Sequence, residues 1–408
     1  MRKVLLLALV MSLLVVALGA TKISYMTFSA VPNHEETLKE IAKAFEAQNP
    51  GIRVDLIFVP WSDYFLKLST MFAGGTPPDA FEINYENFVE YAADGLLMPL
   101  DGLNESYRFK AAEVFSEKAY NAFSYQGKQY GFPESFSTVV LFYNKELFDE
   151  KGVEYPSPDW SWIDEFNAAV KLTDKEKGIW GVYQPIQFWE YYKVIAQNGG
   201  AIFNSENEVT VNNIAGVNAL KWLIDKPKYG IMPSEEEAAG LSSEDLFVMG
   251  KLAMVHTGIW LFNKFREEAP FEWDIEVEPG MSTKATHYFA NAVVASAGTP
   301  HKEAVWKWLK FLTTDEYSVK IRIEKGWELP AVKDPDLISE FLKSDVAPRN
   351  KKAIFDSLEW AIVPPVVKGW SALADVVNKE IDAAKFGMKS PEEALNDLAV
   401  LLKSKISE

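Results

Sequence analysis

Residues 23–83 read ISYMTFSAVPNHEETLKEIAKAFEAQNPGIRVDLIFVPWSDYFLKLSTMFAGGTPPDAFEI, and the order of elements in this stretch decides the fold. Ile23 to Phe28 alternates as a strand does. Asn33 and Glu36 have the spacing of a capping box and open a helix with Leu38, Ile41, Ala42 and Phe45 on one face, which Asn49-Pro50-Gly51 ends. Ile52 to Val59 is β-branched and strand-like; Phe65, Leu68 and Phe72 then recur at helical spacing, and Gly74-Gly75 and Pro77-Pro78 separate that helix from a third strand, Asp79 to Ile83. The order β-α-β-α-β predicts an α/β chain whose mostly parallel sheet is covered by helices and takes its ligands beyond the carboxyl ends of the strands. The loops at those ends are residues 29–34, 60–63 and 84–88.

Beyond residue 134, strand and helix patterns continue without a Gly/Ser-rich or Pro-rich tether, so a second lobe must join the first through strand-like crossings that form a hinge. Near the end, Ser371 is placed to cap a helix carrying Leu373, Val376, Val377, Ile381 and Ala384, with Gly387 as its stop. Ser390-Pro391-Glu392-Glu393 opens the last helix as a capping box with Pro at its first position. At 408 residues the chain is long enough for two lobes with cores of their own.

Composition removes several function classes. Arg2 and Lys3 precede an apolar run from Val4 to Leu18 and the small residues Ala17, Gly19 and Ala20, the pattern of a secretion signal over residues 1–20. As a helix that run rises only about 22 Å, short of a hydrocarbon core of roughly 30 Å. Its removal takes away two positive charges and moves the net charge from −17 to −19, which repels nucleic acid and anionic lipid. There is no cysteine, hence no disulfide, no thiolate metal site and no lipidated N-terminal Cys, and the expected location is a periplasm-like space or secretion without a lipid anchor. The four histidines have no zinc-ligand spacing, and no nucleophile elbow, phosphate-binding loop or dinucleotide fingerprint occurs. No catalytic residue, metal or cofactor is therefore assigned. A secreted glycosidase stays open as an alternative because it needs only two suitably spaced carboxylates.

In order along the chain stand Phe45-Glu46 and Asn49-Pro50-Gly51-Ile52; Gly74-Gly75-Thr76-Pro77-Pro78-Asp79; Gly95-Leu96-Leu97 with Pro99-Leu100; Gly127 to Pro133; Phe142-Tyr143-Asn144-Lys145; Gly250-Lys251 with Ala253-Met254, Gly258 and Trp260; and Trp308 with Phe311-Leu312-Thr313. In this order and spacing the chain resembles the extracellular solute-binding proteins of ATP-driven importers, the maltose-binding-protein-like family. The resemblance implies a two-lobed type II periplasmic-binding-protein fold, with residues 21–136 and 288–340 as the N-terminal lobe and 137–287 and 341–408 as the C-terminal lobe. It further implies crossings near residues 135–140, 287–292 and 335–344, closure about a hinge as a monomer, and delivery of a mono- or oligosaccharide to the permease subunits of an ABC transporter.

Sugars present apolar CH faces and in-plane hydroxyls, so a binding cleft needs flat rings and planar polar groups. The 13 Trp, 16 Tyr and 26 Phe exceed what a core of this size needs. Trp370, just before a predicted helix, matches the family's late cleft tryptophan, with stapling of the helix start as the competing role. Trp260 matches a second stacking position, and Gln187 and Trp189 align with a segment supplying one polar and one aromatic contact. Trp61, Glu82, Tyr85 and Glu86 are expected in loops after the first-lobe strands, and Ser137 and Asn291 near the crossings, as hydrogen-bonding groups or hinge residues. His34 and His287 fall near cleft loops, where a structural role suits them. Two positions depart from the best-known sugar-binding members, which have a cleft tryptophan where this chain has Glu82 and an arginine where it has Ala374. Tyr191-Tyr192 is similar to the paired tyrosines of ferric-iron-binding relatives, and the acidic charge suits a polyamine; both remain alternative ligands.

Overall fold

The protein is described from a computed structural model covering residues 20–204, 206, 208–327, 329–364 and 370–406, with the backbone alone for 370, 371, 405 and 406. The signal segment expected over residues 1–20 lies, up to residue 19, outside the described residues. Two compact units partition the chain: Met1–Ser135 with Asn291–Lys325 and Pro330–Lys333, and Phe136–Ala290 with Gly326–Leu329 and Asp334–Glu408.

In the first unit the β-α-β-α-β order holds. The strand Thr21–Thr27 pairs in parallel with Ile52–Phe58 along its whole length and with Ala80–Asn84 at Tyr25 and Met26. Residues 291–295 close that edge antiparallel to Ala80–Asn84, setting Asn291 opposite Asn84 and Val293 opposite Glu82. The helix Pro32–Gln48 buries Leu38, Ile41, Ala42 and Phe45, the face its periodicity predicts. Trp308, on the helix Lys302–Thr314, meets Tyr25 at 5.5 Å and Phe45 at 5.2 Å edge-on, and all three rings are buried. The start of the first helix differs from the Asn33 capping box. It begins at Pro32 behind Val31 with no side-chain cap, and the Asn33 amide donates instead to the Lys325 carbonyl. Proline suits the first helical position, where its missing N–H is not needed and its fixed φ is already helical, so the helix starts one residue before Asn33.

In the second unit, residues 139–144 of the strand Gly131–Asn144 pair with Met254–Gly258 and with Trp273–Glu276, both antiparallel to it. Ala361–Ile362 pairs in parallel with Thr286 and His287, so the pairing in this unit is mixed. The helices Phe188–Gln197, Ile214–Lys228, Trp370–Lys385 and Pro391–Ile406 share a core containing Tyr191, Leu220, Leu223, Val377, Leu395 and Leu398. The last helix has the predicted box: Ser390 Oγ accepts from Glu393 N, and the Glu393 carboxylate accepts from Ser390 N. Gly387 turns left-handed at φ 71° and returns its N–H to Ala384 O, which stops the preceding helix. Residues 335–344, where the resemblance places a crossing, hold the helix Pro335–Lys343, capped by Asp334.

Candidate functional site

Each unit carries its own group of candidate residues. In the first, Trp61, Tyr85 and Glu86 stand at the starts of the helices Trp61–Ala73 and Tyr85–Ala93 rather than in loops, because each helix begins within two residues of its strand. Trp61 is 55% exposed and held edge-on by Phe28 at 5.0 Å and Phe65 at 5.4 Å, so one ring face is fixed and open. Glu82 is also not in a loop. It lies within Ala80–Asn84, buried, and its carboxylate accepts from the Thr27 hydroxyl at 2.5 Å and from Phe28 N at 3.2 Å. It thereby ties the end of one strand to the strand beside it. Asn84 donates to Glu86 Oε2 at 2.5 Å and accepts from the Asn87 amide, while Asn291, opposite it in the sheet, lies 3.5 Å from Ser135 Oγ. Asn291 and Glu86 are thus joined through Asn84, a residue that sequence analysis did not single out. Burial, with the Arg322 guanidinium, pushes the His34 imidazole down to about 4, so it stays neutral in ordinary conditions.

In the second unit Gln187, Trp189 and Trp260 do come together. They line a pocket of about 410 Å³ with Thr257, Glu244 and Lys385. Gln187 precedes the helix Phe188–Gln197 and makes no side-chain capping bond to it. Trp189 and Trp260 are bridged by Phe289, edge-on to both at 6.0 and 5.3 Å, and Phe289 stacks on His287. Phe289 is a missed member of this group. Its signal was the alternation of Thr286–Ala295, which turns residue 289 to the half-buried side between buried Tyr288 and Ala290. Ser137 is buried in its strand with no hydrogen-bond partner for Oγ among the described residues. Trp370 begins the helix Trp370–Lys385, but its side chain lies outside the described residues, as does that of Ser371. Ala374, at the departed arginine position, packs on the helical core.

Gly258 sets the orientation of Trp260. A Cβ built there would lie 1.8 Å from the indole, so the ring rests directly on the glycine backbone. Gly258 has an ordinary φ of −93°, which alanine adopts readily. Gly258→Ala should therefore leave the thermal midpoint within a few degrees of wild type while displacing the ring. The expected loss is roughly 10-fold in ligand affinity by calorimetry, about 1.4 kcal/mol.

Directly beneath this pocket lies a buried ionic cluster. Glu165, Glu190 and Glu278 face Lys193, Lys226 and His256, all nearly inaccessible to solvent. Lys193 Nζ lies 2.6 Å from Glu190 Oε1 and also bonds Glu278 Oε1; Lys226 Nζ lies 2.5 Å from Glu165 Oε1 and donates to Gln184 Oε1; Gln184 Nε2 donates to Glu190 Oε1 at 2.6 Å. His256 presents Nδ1 to Glu278 at 2.7 Å and Nε2 to Glu165 at 3.1 Å. A carboxylate at each ring nitrogen favours a proton on both, so His256 is held toward the imidazolium and stands with Lys193 and Lys226 against the three carboxyl groups, of which burial pushes Glu190 up. Burial opposes the charge on His256, but the Glu165 and Glu278 carboxylates raise it above its usual value. Burial likewise works to lift Glu165, yet Lys226 and His256 bring it down to about 2. Glu190, His256 and Glu278 lie close enough together to suggest a metal centre, but the Lys193 ammonium bonded to both carboxylates takes the cation's place. The cluster instead fixes the helix that bears Trp189 to the strand that leads to Trp260.

The tyrosine pair proposed for iron is structural. Tyr191 and Tyr192 lie inside the helix Phe188–Gln197, buried, with hydroxyls donating to the Gly216 and Ile362 carbonyls, and burial raises the Tyr191 phenol. Neither offers a phenolate to a ferric ion.

Against this geometry, the family model for bacterial extracellular solute-binding protein matches residues 32–319. A solved ABC substrate-binding protein from Listeria monocytogenes, in complex with cycloalternan, is similar at 44% identity and a TM-score of 0.91, covering 95% of this chain and 99% of its own. That likeness gives the fold as that of the type II periplasmic binding proteins. Among curated relatives, a putative binding protein of Brucella abortus is 28% identical, covering 88% of this chain and 87% of its own. The galactooligosaccharide-binding protein of Bacillus subtilis is 23% identical, covering 90% of this chain and 86% of its own. No described helix is long and apolar enough to cross a membrane.

Proposed function

Because the chain belongs to the bacterial extracellular solute-binding protein family, we propose that it captures an oligosaccharide outside the cytoplasmic membrane and passes it intact to the permease of an ABC importer. The observation that carries this is the second-unit pocket, where the rings of Trp189 and Trp260, each held edge-on by Phe289, stand beside Gln187, Thr257 and Glu244. Flat rings next to a few polar groups suit a sugar ring, which is apolar on its faces and polar around its edge. The Listeria relative, bound to cycloalternan, supports the same class. A polyamine is disfavoured because Glu165, Glu190 and Glu278 under the pocket are already matched by Lys193, Lys226 and His256. In this proposal residues 1–20 are the export signal, and the two units close on the ligand so that the closed form is what the permease recognises.

Mass spectrometry of the protein as purified, followed by titration calorimetry with gluco-, galacto- and manno-oligosaccharides, cycloalternan and spermidine, tests this. Saturable binding of one saccharide, recovered unchanged, is expected. No saccharide in either experiment, or steady production of smaller sugars, would overturn it.

A further inference from the structure

Outward from the aromatic pocket the second unit holds another, of about 550 Å³, and the two share Tyr183, Ile186, Ser242 and Lys385 as a common wall. The outer pocket lies between the end of the helix Ile214–Lys228, residues 232–242 and the end of the helix Trp370–Lys385. Leu241, 41% exposed, and Phe386, 57% exposed, offer apolar surface there beside Pro233 and Met232. Lys385, on the shared wall, is paired across the outer pocket with Glu235, so this rim carries matched charges. A rim of that kind attracts no ion of either sign, yet provides donors and acceptors for hydroxyl groups. Either cavity alone is within the range of a small-molecule site. Because they share these four lining residues, a ligand that reaches from one into the other is longer than either cavity takes alone.

We propose that the outer pocket is an additional saccharide subsite, with Leu241 and Phe386 as its apolar platform and Lys385 with Glu235 as its hydrogen-bonding edge. The chain would thus select longer oligosaccharides over disaccharides. This rests on the saccharide assignment above, and nothing in the aromatic pocket requires it. The lining shared with that pocket argues for the far end of the same ligand rather than a separate peptide.

The test is calorimetry on the full chain with linear malto- and isomalto-oligosaccharides of two to six units and with cycloalternan, for wild type, Leu241→Ala, Phe386→Ala and the double variant. Both side chains are exposed, so the thermal midpoints should stay near wild type. Affinity is expected to rise by at least 10-fold between two and four units in the series that binds, and the double variant should lose most of that gain while binding the disaccharide as wild type does. Affinity independent of length, or equal losses for short and long sugars, would overturn the subsite and leave the saccharide assignment standing. If none of these sugars binds any of the proteins, the subsite falls, and the saccharide assignment falls with it when the galacto- and manno-oligosaccharides also fail to bind.

Discussion

Trp260→Ala should lower oligosaccharide affinity roughly 100-fold, about 2.7 kcal/mol, with little change in the thermal midpoint. The two readouts separate because the indole contributes little to the core. It is 37% exposed, it rests on Gly258, and its closest aromatic partner is Phe289, edge-on at 5.3 Å. What it offers is a flat apolar face at a fixed angle. A sugar stacked on it loses water from its CH face against a ring that has few rotamers to give up, and alanine provides neither the area nor the orientation. Trp260→Phe should recover part of the loss. Calorimetry with the best saccharide from the panel, next to a melting curve of the unliganded protein, checks both halves. Unchanged affinity in Trp260→Ala would remove this ring from the binding site.

The second large effect concerns stability. Lys193→Met should destabilise the second unit by about 3–5 kcal/mol, because it strands two buried carboxylates, Glu190 and Glu278, without their shared ammonium. For a unit of this size that corresponds to a fall in thermal midpoint of roughly 10 °C. Two buried charges cost more to leave alone than a well-formed pair returns, so adding Glu190→Gln and Glu278→Gln should restore part of the stability even though both changes remove interactions. The same cluster sets a pH dependence. Glu165 sits at about 2 in the folded chain against an ordinary 4.5, so its contribution is complete above 4.5 and is lost as the pH falls from there toward 2. His256 is raised above 6.5, so its contribution is complete below 6.5 and is lost as the pH rises through the folded value. Urea transitions followed across pH should show both arms, and Lys226→Met, which removes the ammonium beside Glu165, should shrink the acid arm.

The cluster also shows where sequence analysis stops. Glu165, Glu190, Lys193 and Lys226 lie on three different helices and His256 on a strand, and in the chain each has the look of an ordinary charge on an amphipathic face. Nothing in their spacing says that they converge without water. Phe289 was hidden for the same reason, since an aromatic beside Tyr288 in a strand is unremarkable until Trp189 and Trp260 are found against it. Local mistakes had local causes. The Asn33 box lost to Pro32, which starts the helix one residue earlier, and Trp61, Tyr85 and Glu86 moved from loops to helix starts because one connection is two residues long and the other has none.

Periodicity and punctuation were sufficient for the β-α-β-α-β start, the buried face of the first helix, the terminal capping box and, through the order of its motifs, the family. These depend on neighbours within a turn or a strand, so the chain itself carries them. The folded structure alone decided that Glu82 would be a buried strap between strands and that Trp260 would lie on Gly258. It alone set Gln187, Trp189 and Trp260 around one pocket, and a buried ionic cluster beneath it. Those outcomes depend on contacts between residues tens of positions apart, whose side chains meet only when sheet register and helix packing bring them into reach.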